Sequence, residues 1–97
     1  MKVYIAGKIT GDSNYKQKFS EAETSLRVAG HVVLNPACLP DGFTWDDYMH
    51  ICLSMIDVCD AVFFLSDWQE SKGAQKEYVY ALSSNKKAYF NIIGLVR

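Results

Sequence analysis

The sequence predicts an α/β protein of the flavodoxin-like (Rossmann-like) kind: a three-layer sandwich of four to five parallel strands with helices on both faces. Three observations carry that expectation. Short β-branched and aromatic runs alternate with segments whose apolar residues recur at helical spacing. The connections between them are short, so successive β-α-β units read as crossovers between parallel strands. The run Ala61 to Leu65 is apolar throughout, as expected of a central strand buried on both faces.

Taken in order, Lys2 to Ala6 is a strand closed by Gly7. Lys8 to Asn14 has loop composition, and Asp12 or Ser13 is placed to cap the next element. From Tyr15, Phe19, Ala22, Leu26 and Ala29 form the apolar stripe of a first helix, with Gly30 at its C-terminal stop. His31 to Leu34 reads as the second strand, and Asn35 to Phe43, with two prolines and a glycine, as a loop. Thr44 opens a second helix whose first turn carries Asp46 and Asp47 and whose apolar face runs Tyr48, Ile51, Cys52, Met55 and Cys59. After the Ala61 strand, Ser66 to Lys72 is a polar loop. A third helix runs from about Gly73 to Ser83, and Lys87 to Ile93 is expected to be the last strand.

Ninety-seven residues suit one domain, 1–97, with a core thin enough that a homodimer or larger homo-oligomer is expected. The hydrophobic share is 49% and the charged share 22%, which argues against disorder. With net charge −1 and no basic block beyond Lys86-Lys87, a nucleic-acid polymer is not an expected partner. No apolar run reaches bilayer-spanning length and no secretory leader is evident, so neither a membrane nor export is expected. Cys38, Cys52 and Cys59 have no CxxC spacing and read as reduced thiols of a cytoplasmic protein. His31 and His50 lack close partners, so no metal or other cofactor is expected.

Ligands of open parallel sheets bind beyond the carboxyl ends of the strands. That rule selects the loops starting at Lys8, Asn35 and Ser66, and it makes Asp57 and Asp60, at the opposite edge, structural. Gly7, Lys8, Ile9, Thr10 and Gly11 offer backbone N–H groups, a hydroxyl and an ammonium, which suit a phosphate or sugar hydroxyl. The loop matches neither a P-loop nor a dinucleotide fingerprint, and a turn that merely needs its two glycines would look the same. Glu77 is sharper. It lies inside the helix-three stripe of Ala74, Tyr78, Ala81 and Leu82, with no Lys or Arg three or four residues away. A carboxylate there is costly to bury unless the site uses it, or else it sits at the stripe's edge and reaches water. Trp45 and Trp68, flanked by polar residues, are the aromatic candidates for stacking on a base, though aromatic side chains are also ordinary core.

Three segments, Tyr4-Ile5-Ala6-Gly7-Lys8-Ile9-Thr10-Gly11, Cys59-Asp60-Ala61-Val62 and Ser71-Lys72-Gly73-Ala74-Gln75-Lys76-Glu77-Tyr78, resemble the nucleoside 2-deoxyribosyltransferase superfamily. The resemblance is strongest to its short phage and bacterial members, domain of unknown function 4406, and extends to the 2′-deoxynucleoside 5′-phosphate N-hydrolases. It implies that Glu77 attacks the sugar C1′, that Tyr4 orients it, and that water or a second base completes hydrolysis or transfer. It implies that Ser71, where transferases for free nucleosides carry an aspartate, sits beside a 5′-phosphate together with Lys8, Thr10, Gly11 and Gly73. Relatives also carry an aspartate where Cys52 stands here, and a thiol is a weak donor; Asp67 and Asp47 are the substitutes the sequence offers. The expected function is therefore cleavage of a 2′-deoxynucleotide N-glycosidic bond or deoxyribosyl transfer. The alternative is a nucleotide-binding module without catalysis. A receiver or flavin domain of similar fold is not expected, because this sequence lacks the acidic cluster after strand one that a receiver needs and the hydroxyl-rich phosphate loop that flavin binding needs.

Overall fold

Strand β1 (Lys2–Ala6) occupies the interior of the sheet because both of its faces are apolar. The computed structural model describes residues 1–96 and pairs β1 in parallel with β2 (Val32–Leu34) on one side and β3 (Ala61–Phe64) on the other. Strand β4 (Lys87–Tyr89) pairs in parallel outside β3, giving the order β2-β1-β3-β4. Tyr4 sits opposite Leu34 and Val62, which fixes the register at the centre.

Side chains alternate across the sheet as the two-residue period of a strand requires. Val3, Ile5, Ala61 and Phe63 point to a half-core shared with Phe19 and Leu26 of helix α1 (Tyr15–Val28). Tyr4, Ala6, Val62 and Phe64 point the other way, toward Cys52 and Ile56 of α2 (Trp45–Asp57) and Ala81 of α3 (Lys72–Ser83). The result is the expected three-layer sandwich, with α1 on one face and α2 and α3 on the other. The chain runs from β1 outward to β2, then back across β1 to β3, so the direction of winding reverses at the carboxyl ends of β1 and β3. In such sheets that reversal opens a crevice.

The helix ends follow from their sequences. Thr44 and Asp47 form a capping box at α2, each side chain bonding the other's backbone N–H at 3.1 Å. Helix α1 stops at Gly30, the expected C-terminal glycine. At its other end Asn14 is the cap residue without a side-chain cap bond. Asp12, expected as a cap, accepts from the Asn14 N–H at 2.8 Å and pairs with Lys18 instead.

Strand boundaries and one side chain depart from the sequence expectation. His31 lies outside β2, because its ring bridges the Met1 amine at 3.0 Å and the Leu95 carbonyl at 2.5 Å. The last strand ends at Tyr89 rather than Ile93, since Asn91 turns the chain by accepting from the Ile93 N–H at 3.0 Å. A 3-10 turn (Ile93–Leu95) then buries Leu95 against the α1 side of the sheet. Leu82, placed in the helix-three stripe by spacing, is 51% exposed. Asp60 and Asp57 are structural, accepting from the Lys2 N–H at 2.8 Å and the Tyr80 hydroxyl at 2.5 Å. No helix of the described residues is long and apolar enough to cross a membrane.

Candidate active site

A cleft of about 190 Å³ opens at the crevice the winding creates. Its floor is the end of β1, from Tyr4 to Gly7, and Ile9 and Thr10 of the following loop line it too. Gly7 is needed there for closeness: a Cβ at that position would stand 2.8 Å from Leu65 Cδ1. Helix α2 contributes Trp45 and Cys52, and the start of α3 contributes Ser71, Gly73 and Glu77.

Glu77 is 5% exposed, on the one face of α3 that meets the sheet. Burial pushes its carboxyl from the ordinary 4.5 up to about 7, while the bond from Tyr4 opposes that rise. The Tyr4 hydroxyl donates to Glu77 Oε2 at 2.5 Å from the buried middle of β1. Burial, and next the Glu77 charge, hold the Tyr4 phenol well above its usual range, so it stays a donor. Cys52 on α2 adjoins the same phenol, and burial pushes its thiol up to about 11. At neutral pH the cluster therefore has one group that changes charge, Glu77, held by the Tyr4 phenol, with the Cys52 thiol beside that phenol; neither of these two changes charge. A carboxylate with one oxygen fixed by a phenol and an open cleft in front of it can attack an electrophilic carbon or stabilise a cationic one.

The neighbouring wall is the N-terminus of α3. Ser71 caps it, its Oγ accepting from the Ala74 N–H at 3.1 Å, which leaves the hydroxyl proton free to point outward. The first N–H groups of a helix lack intrahelical acceptors and favour an anion. Gly73 lets the wall close in, since a Cβ there would meet Met49 Sδ at 3.3 Å and Trp45 Nε1 at 3.9 Å. Trp45 is 44% exposed at the rim, with Lys76 Nζ 4.9 Å from its ring centre.

Four sequence candidates lie outside the cleft lining. Lys8 sends its ammonium to Glu70, 3.5 Å away, and its backbone N–H to Asp67. Gly11 forms the outer turn of the same loop. Asp67 is ion-paired with Lys18, which also holds Asp12, so the three brace the loops after β1 and β3 against α1. Trp68 packs among Phe64, Tyr78 and Phe90 with ring centres 4.9 to 5.7 Å apart, because its polar sequence neighbours conceal an apolar socket behind β3. Conversely, the cleft includes Met49 and Asp41, which the sequence reading did not name, and Tyr15 and Tyr48, which it placed on apolar helix faces. The rule about strand ends had marked the loop holding Asp41, but nothing local distinguished that residue.

A family model described as Domain of unknown function (DUF4406) matches residues 1–90. The chain belongs to the DUF4406 family. No curated protein matches the sequence. Among solved structures, this DUF4406 domain superposes on a 2-deoxyribosyltransferase of Leishmania mexicana with a TM-score of 0.71 and 20% identity, covering 90% of this chain and 61% of that one. A 2-deoxyribosyltransferase of Bacillus psychrosaccharolyticus gives 0.67 and 20%, over 91% and 69% of the two chains. A CMP N-glycosidase of Clostridium botulinum gives 0.68 and 19%, over 97% and 78%. The DUF4406 chain thus has the flavodoxin-like fold of the deoxyribosyltransferases.

Proposed function

We propose that the cleft binds a 2′-deoxynucleoside 5′-phosphate or a related nucleoside and that Glu77 opens its N-glycosidic bond. Water as acceptor gives hydrolysis; a second base gives deoxyribosyl transfer. The observation that carries this reading is Glu77 itself, a buried carboxylate held by Tyr4 at the inner end of an open cleft. A group with that geometry suits attack on C1′, where positive charge develops as the base departs. The fold shared with two enzymes titled 2-deoxyribosyltransferase and one titled CMP N-glycosidase supports the same chemistry. The 5′ end is assigned to Ser71, Gly73 and Thr10, where the start of α3 favours an anion.

The test is release of free base from a panel of deoxynucleosides with and without the 5′-phosphate. Both Glu77→Ala and Glu77→Gln are expected to lower the rate by at least about 100-fold while the ligand still binds. Full activity in both variants removes Glu77 from the mechanism.

A second reading, binding without turnover, is favoured by Cys52. It places a thiol beside Tyr4 that burial keeps protonated, where superfamily members resembling this chain carry an aspartate. Nucleotide-dependent stabilisation of the unaltered protein with no base release would select it.

A further inference from the structure

The reaction assigned to Glu77 needs a second group, because a base leaves C1′ readily only when it gains a proton. The cleft narrows the choice. Tyr4 is committed to Glu77, and Cys52 holds its proton too tightly to give it up near neutrality. Asp47 is committed to the Thr44 N–H in the α2 capping box, and Asp67 to Lys18 and the Lys8 N–H; neither lines the cleft. Among the described residues, the cleft lining has two carboxyls, Glu77 and Asp41. Asp41 is exposed and takes part in none of the ion pairs among those residues.

Its placement is built rather than incidental. The Tyr48 hydroxyl donates to the Pro40 carbonyl at 2.6 Å and accepts from the Phe43 N–H at 3.3 Å, so one side chain of α2 grips both ends of a four-residue bend. Gly42 has φ of +109°, a conformation that other residues adopt only with strain, and it supplies the reversal. The Phe43 ring packs edge-on against Tyr48, with centres 5.8 Å apart. Asp41 is thereby held at the tip of the bend, over the cleft whose inner end is Glu77.

We propose that Asp41 is the second carboxyl of the reaction, the group that passes a proton to the departing base. This rests on Glu77 being the nucleophile. In the first step a Glu77 oxygen bonds to C1′, the C1′–N bond breaks with its electron pair going to the base, and the Asp41 proton moves to the base. In the second step water adds to C1′, Glu77 leaves as carboxylate, and Asp41 takes the proton that the water releases. Tyr48 acts through Asp41 as a positioning residue.

Leaving-group dependence tests this. Asp41→Asn and Tyr48→Phe are assayed on the deoxynucleotide that the unaltered protein cleaves best and on a 4-nitrophenyl 2-deoxyriboside, whose nitrophenolate departs without a proton. Asp41→Asn is expected to lower the rate of base release from the nucleotide by at least about 100-fold, and to leave the first-turnover burst of nitrophenolate within threefold, because that substrate needs Asp41 only in the second step. Tyr48→Phe is expected to show the same asymmetry with a smaller loss. Glu77→Gln loses both reactions. Equal base release by Asp41→Asn and the unaltered protein, or an equal loss in base release and in the nitrophenolate burst, overturns the role of Asp41 and leaves that of Glu77 standing. Turnover that survives Glu77→Gln, or no turnover by the unaltered protein, overturns both.

Discussion

At the scale of single residues, Glu77 couples the site to stability through one proton. Its folded-state pKa of about 7 lies above the ordinary 4.5, so the folded chain keeps a proton that the unfolded chain has released. Rising pH therefore favours the unfolded state across that window, and the loss is complete above about 7. A shift of this size corresponds to about 3 kcal/mol. Asp12 and Asp60 act in the opposite sense, because Lys18 and the Lys2 N–H respectively hold them below their usual range. The clean readout is thus the difference between the unaltered protein and Glu77→Gln in denaturant titrations. That difference is expected to swing toward the Gln variant by about 3 kcal/mol between pH 4 and pH 8. The same proton bears on activity, since only the carboxylate attacks: kcat/KM for the nitrophenyl substrate, whose first step needs no proton donor, is expected to rise with pH through about 7 to a plateau above it. A pH-independent stability difference would mean that Glu77 keeps its ordinary pKa in the folded chain. The sequence exposed this residue because an unpaired carboxylate interrupted an apolar stripe, and that conflict between pattern and chemistry is visible without coordinates.

At the scale of elements, α3 does two tasks with one cap. Ser71 closes the helix and presents its hydroxyl to the cleft, so its substitutions separate folding from binding. Ser71→Ala removes the cap and is expected to cost 0.5 to about 2 kcal/mol. Ser71→Asp keeps a good cap and is expected to leave stability nearly unchanged. It sets a negative charge against a 5′-phosphate, however, so KM for phosphorylated substrates is expected to rise by tenfold or more, while unphosphorylated ones are spared. Equal effects on both substrate types would move the phosphate away from α3. The elements themselves were legible wherever local rules suffice: the start of α2 at Thr44 with acids in its first turn, Gly30 and the apolar Ala61 run each produced the structure expected of them. The failures arose where a distant partner decides. Lys18 draws Asp12 and Asp67 into a brace, and residues 91–95 fold back because Leu95 finds a socket against the sheet. Trp68 looked like a rim residue because its burial depends on Tyr78 and Phe90, which are remote in sequence.

At the scale of the whole molecule, the winding of the sheet explains why sequence reading found the end of the fold that holds the cleft and missed part of its lining. The order of strands and helices fixes which loops converge, and that order was readable. Which side chains within a loop turn inward depends on grips such as that of Tyr48 on the 40–43 bend, and those need coordinates. The architecture predicts how ligand and fold couple. The cleft is walled by β1, α2 and α3 together, so a nucleotide filling it adds contacts among elements that the half-core beneath already joins. A ligand that binds only the folded chain adds about 2.7 kcal/mol at a concentration 100 times its Kd. For a domain near 100 residues each kcal/mol raises Tm by about 4 to 8 °C, so a rise of more than 10 °C is expected. The measurement belongs on Glu77→Gln, which retains the cleft without consuming the ligand. Nucleotides that raise its Tm should be the ones whose base the unaltered protein releases fastest. A Tm indifferent to every deoxynucleotide and deoxynucleoside at millimolar concentration would show that this cleft is built for another kind of molecule.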